Sequence, residues 1–116
     1  MSQRDVRPFL EDIVRACDAV AAFIHGRDLE SYRADLMLRS AVERQLMIVG
    51  EAVNKVRQAD SLCAAVFGDV AGIVSFRNIL VHGYFQINHE VVWRIAVDDA
   101  PRLRVAAFRE LGSEPL

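Results

Sequence analysis

The chain has 116 residues, 53% hydrophobic and 26% charged, with a formal net charge of -2. That length suits one domain spanning residues 1–116 with a core of its own, and that balance points to a folded soluble protein rather than a disordered one. Bulk charge gives no sign of a polyanion-coating protein, although a local basic cleft is compatible with it.

Only three prolines and six glycines punctuate the chain, which favours helices over a sandwich of short strands. Cys17 and Cys63 form neither a metal-type pair nor a disulfide framework, and Cys17 falls in an apolar helix pattern as a buried thiol would. Met1–Asp5 lacks the apolar stretch of a signal peptide, and no apolar run approaches the roughly 18 residues of a membrane span. A cytoplasmic protein without a membrane partner is expected.

The first helical pattern runs from about Pro8 to His25. Phe9, Ile13, Ala16, Val20 and Phe23 recur at spacings of four and three, with Gly26 as the stop. The second runs from about Ser31 to Arg57. Leu38, Val42, Leu46, Val49, Val53 and Val56 form one stripe, and Met37, Ala41, Ile48 and Ala52 form a second beside it. So wide an apolar surface can face two neighbours. Gly50, which costs about 1 kcal/mol against alanine inside a helix, predicts the close approach of another backbone.

Residues 58–69 read as a looser stretch containing Gly68. The third helix is expected from about Val70 to His82, apolar on most sides and therefore buried in the bundle or between two copies of it. The fourth begins at Asn88, an N-cap with Glu90 in the first turn. It is interrupted at Pro101, where a kink or a restart capped by Asp99 is expected, and it ends near Gly112 and Pro115. The fold class predicted is all-α, an antiparallel up-and-down bundle of four to five helices.

The segment Arg77-Asn78-Ile79-Leu80-Val81-His82-Gly83-Tyr84 carries the chemistry. Arg77 can grip a phosphate with two parallel hydrogen bonds, and His82 moves a proton near neutral pH. In a helix, Asn78 and His82 are one turn apart on a shared face. Gly83 suits the left-handed residue that ends a helix, so His82 would sit in the last turn, where the dipole favours its protonated form. Asn78 can orient the histidine or a substrate, and Tyr84 lies just beyond, at the rim. Each residue also has a plainer role: Arg77 in a surface ion pair, His82 as a helix cap, Tyr84 in packing. Glu43, Arg44 and Glu51 read as a solvated face of the second helix or as residues that approach the Arg77/His82 cleft. Trp93 reads as packing, and His25 and His89 as helix ends. No metal motif, P-loop or dinucleotide fingerprint is present.

The spacing from Arg77 to His82, with polar Asn78 next to the arginine, resembles the signature of HEPN-domain ribonucleases. Its extension to Tyr84 resembles the form found in HepT-like toxins. The run Glu43–Ala52 is similar to that family's second helix, and Asn88–Pro101 is similar to its last, so the resemblance covers nearly the whole chain. It implies a HEPN-like helical bundle that forms a homodimer, with the two motifs facing a shared cleft. It implies a metal-independent endoribonuclease toxin of a type II toxin–antitoxin system, with RNA as substrate and no cofactor. Arg77 and His82 would be catalytic, Asn78 supporting, and Tyr84 the residue adenylylated by a cognate MntA-like nucleotidyltransferase antitoxin. The alternative is a non-catalytic helical partner of such a nucleotidyltransferase, whose arginine and histidine bind only a nucleotide phosphate.

Overall fold

The computed structural model describes residues 6–82 and 87–112, without the side chains of 79–82. Among the described residues every regular element is helical, as the spacing of apolar residues predicts. Helix α1 (Arg7–Ile24) buries Leu10, Ile13, Ala16, Cys17 and Val20. These lie one residue around from part of the expected stripe, and Phe23 is left exposed. Gly26, at φ 73°, turns the chain out of α1.

The expected second helix is two helices, α2 (Leu29–Ala34) and α3 (Leu36–Ala59). The break is at Asp35, which adopts an extended backbone and accepts a hydrogen bond from the Leu38 N–H, capping α3. The start of the second apolar row is corrected accordingly: Met37 stands in the exposed first turn of α3, not in the core. From Leu38 onward the main stripe is buried to Val56. It packs against α1 on one side and against α5 on the other, so the wide apolar surface does serve two neighbours.

The stretch read as loose is ordered into a short helix, α4 (Ser61–Ala64), and a 3₁₀ turn, Ala65–Phe67. Asp60 caps α4 through the Cys63 N–H, and Phe67 is fully buried. Helix α5 (Ala71–His82) follows and buries Ile73 and Phe76. Asn88 caps the next helix as expected, accepting from the N–H groups of Glu90 and Val91. That helix, α6 (His89–Arg94), passes without a break into a π-helical turn, Ile95–Asp99, and then α7 (Ala100–Gly112).

The kink or restart expected at Pro101 is therefore replaced by widened winding. Proline has no N–H to give and crowds the carbonyl one turn back. A π turn admits an extra residue there, and the Ala100 N–H reaches back to the Ile95 carbonyl. Asp99 is the last residue of this continuous π turn rather than the cap of a restarted helix, and it lies 3.6 Å from the Arg102 guanidinium. Arg102 in turn holds the bend before α5 by donating to the Phe67 and Asp69 carbonyls.

The core is formed mainly by α1, α3 and α7. Tyr32 of α2 is fully buried against Trp93, with ring centroids 5.3 Å apart, and meets His89 edge-on at 6.4 Å. Trp93 is thus a packing residue, as the sequence suggests, and α2 is fastened to α6.

Candidate functional site

The site begins with a glycine. A Cβ built on Gly50 would stand 2.7 Å from the Arg77 Cβ and 3.0 Å from the Ile73 carbonyl oxygen. Only a residue without a side chain lets α5 lie this close to α3. The consequence is positional: Arg77 is pressed onto α3, and its guanidinium reaches over the surface to Glu51, the residue next to Gly50.

Arg77 donates from Nε to the Glu51 Oε1 at 2.6 Å, and its Nη2 lies 2.5 Å from the same oxygen. Nη1 donates to the Asn78 Oδ1 at 3.0 Å. One edge of the guanidinium is therefore taken by a carboxylate and one corner by an amide. Five N–H groups are available on an arginine, so donors remain for a further anion. The Arg77 side chain is 24% exposed and that of Glu51 40%. An ion pair this open to water is worth about 0–1 kcal/mol, so its main effect is to hold Arg77 in one orientation.

Arg77 and Asn78 are brought into contact, and Asn78 is exposed beside the guanidinium. The backbone of α5 continues to His82, its last residue, one helical turn beyond Asn78. The His82 side chain, Gly83 and Tyr84 lie outside the described residues. Of the two roles the sequence allows Glu51, a solvated face or an approach to the cleft, the structure shows the approach to the arginine. The signal was its neighbour: a glycine that admits a helix places the next residue at the rim of the contact.

Beside Glu51 a recess of about 250 Å³ opens between α1 and α3, lined in part by Phe9, Arg44, Ile48 and Lys55. Elsewhere, Glu43 is half-buried near His89 and Arg39, and burial raises its carboxyl above the ordinary range. Among the described residues, no group of His, Cys, Asp and Glu is arranged to hold a metal ion, and no helix is long and apolar enough to cross a membrane.

A helical bundle that presents an oriented arginine at the surface, a turn and a half before a helix end at histidine, is a scaffold suited to a phosphate-bearing ligand. The comparison with known proteins gives the family. Residues 13–108 match the family model described as Ribonuclease HepT-like. The chain is 36% identical over 106 residues to "Putative RNase MJ1380" of Methanocaldococcus jannaschii, covering 90% of this chain and 94% of that protein. It is 29% identical over 99 residues to "Putative RNase TTE0752" of Caldanaerobacter subterraneus subsp. tengcongensis, covering 84% and 86%. It is 26% identical over 102 residues to "Probable ribonuclease HepT" of Thermococcus cleftensis, covering 88% and 92%. No solved structure matches the chain significantly. The chain belongs to the HepT-like ribonuclease family.

Proposed function

We propose that this protein is a metal-independent endoribonuclease, the toxin of a type II toxin–antitoxin system, acting as a homodimer in the cytoplasm. The observation that carries the reading is Arg77: a guanidinium held in place by Glu51 and Asn78, partly exposed, with donors to spare. A phosphodiester under attack gains negative charge on its equatorial oxygens. A pre-oriented arginine stabilises that charge without reorganising.

His82 transfers the protons. It takes one from the ribose 2′-hydroxyl as that oxygen attacks phosphorus, or gives one to the departing 5′-oxygen. In a dimer the two subunits supply one histidine for each task. The products are a 2′,3′-cyclic phosphate and a 5′-hydroxyl end. Asn78 supports Arg77 through the contact already described. Control is exerted at Tyr84. A cognate MntA-like nucleotidyltransferase joins the tyrosine oxygen to the α-phosphorus of ATP; pyrophosphate leaves and the phenolic proton is released. The bound AMP adds bulk and negative charge beside Arg77, which repels RNA.

RNA cleavage by the purified protein tests this reading. Arg77→Ala and His82→Ala are each expected to lower the single-turnover rate by about 10²-fold or more while the dimer persists, and a chelator is expected to leave the rate unchanged. Intact protein with either substitution that cleaves at the parent rate defeats the mechanism, whereas an intact parent dimer that cleaves no RNA favours the non-catalytic partner. Co-production with the nucleotidyltransferase is expected to add the mass of AMP to the parent chain and not to Tyr84→Phe. A Tyr84→Phe protein that is still adenylylated removes Tyr84 from the scheme.

A further inference from the structure

We infer that the exposed face of α3 beside Arg77 is a track for single-stranded RNA, with Arg44 and Lys55 binding phosphates that flank the one to be cut. The inference rests on the ribonuclease reading and adds a binding surface to it. Arg44, Ile48, Glu51 and Lys55 recur at spacings of four, three and four, which puts them on one face of α3. All four line the recess between α1 and α3, and Glu51 is also the residue that holds Arg77. Binding track and candidate catalytic arginine are therefore continuous.

Most described arginines elsewhere on the surface are matched by a carboxylate, with Arg39, Arg57 and Arg109 as the exceptions. Arg7, Arg15, Arg27, Arg33, Arg94, Arg102 and Arg104 each pair with a carboxylate. Arg44 and Lys55 are exposed, and neither pairs with a carboxylate among the described residues. The two acids that line the recess are occupied: Glu51 by Arg77, and Asp12 by Arg15 at 3.1 Å. Arg44, Lys55 and Arg77 thus stand against one carboxylate, Glu51, on a protein whose formal charge is -2. An unmatched local cluster of this kind draws a polyanion to one face of an acidic molecule. Phe9 on the recess wall offers a ring on which an unpaired base can stack, which selects a single strand over a duplex.

The test uses the His82→Ala full chain, so that the probe survives, and a fluorescein-labelled single-stranded RNA followed by anisotropy over a salt titration. Arg44→Gln and Lys55→Gln are each expected to weaken binding several-fold at low salt. Each should reduce the slope of log K against log salt by about 0.7, the release expected for one single-strand phosphate contact. Both side chains are exposed and glutamine is a good helix former, so the fold is retained. Arg109→Gln on α7 is the control, with the parent slope expected. If wild-type protein cleaves RNA while Arg44→Gln and Lys55→Gln keep the parent slope, the track is wrong and the ribonuclease reading stands. If wild-type protein neither cleaves nor binds RNA, both fall together.

Discussion

Gly50 governs the site at the scale of single residues. A methyl group there meets the Cβ and Cγ of Arg77 and the Ile73 carbonyl, none of which is the free end of a flexible chain. Alanine would normally gain about 1 kcal/mol of helix propensity over glycine. Here overpacking outweighs it, at about 1–3 kcal/mol. Gly50→Ala is therefore expected to destabilise the fold by up to about 2 kcal/mol net, read as a lower urea midpoint with an unchanged slope. It should also impair RNA cleavage, because the helix that carries Arg77 has to move. A Gly50→Ala protein as stable as the parent would mean that α3 and α5 are not in this contact. The approach itself is legible in the sequence, since a glycine inside a strong helical pattern needs a reason. The acceptor for Arg77 is less so. Periodicity places Glu51 on a polar face and leaves open whether that face meets solvent or another helix.

At the scale of elements, the sequence shows which segments are helical more clearly than where they break. The long pattern from Ser31 to Arg57 conceals a boundary, because its apolar stripe begins only at Leu38 and the residues before it carry little periodic signal. Asp35 decides the matter through a local competition. Its carboxylate accepts from the Leu38 N–H and pairs with Arg27 at 2.9 Å, both of which need the extended backbone that ends α2. Pro101 was visible as a disturbance, but its accommodation by a π turn depends on how the helix packs as a whole. The Asp35 contacts have a pH signature. The hydrogen bond from Leu38 and then the pairing with Arg27 hold the Asp35 carboxyl below its ordinary value of 3.8. A depressed folded-state pKa gives stabilisation that is complete above the unfolded value and is lost as pH falls through the folded one. Asp35→Asn keeps a capping oxygen and removes the titration. Its melting temperature is expected to lie below that of the parent at neutral pH, and the two are expected to converge as the pH drops below about 4. Parallel melting curves at all pH values would show that the carboxylate contributes nothing.

For the molecule as a whole, the question is how evenly the bundle is held together. The sequence places Cys17 in the core from its register in α1, and the structure buries it there beside Arg104 and Asp18, the pair that ties α7 to α1 at 3.0 Å. Cys63 carried no such signal. Its burial depends on a four-residue helix within a stretch that looks loose in sequence, and on the return of α7 with Glu110 beside it. Burial, reinforced by Asp18, pushes the Cys17 thiol up to about 12; burial, reinforced by Glu110 and Asp60, pushes Cys63 up to about 11. The thiolate is the reactive form, so neither residue is expected to react with an aromatic disulfide reagent in the native state at pH 8. The two thiols nevertheless report on different joints. Cys17 is released only when α1 separates from α3 and α7, which amounts to global unfolding. Cys63 is released when α4 and the 3₁₀ turn after it lift away, a smaller event that exposes less apolar surface. Labelling in a urea series, with the modified peptide identified by mass, is therefore expected to show Cys63 reacting at lower urea than Cys17. Simultaneous labelling of both at the global midpoint would mean that α4 is as firmly held as the long helices, and that the bundle opens as a single unit.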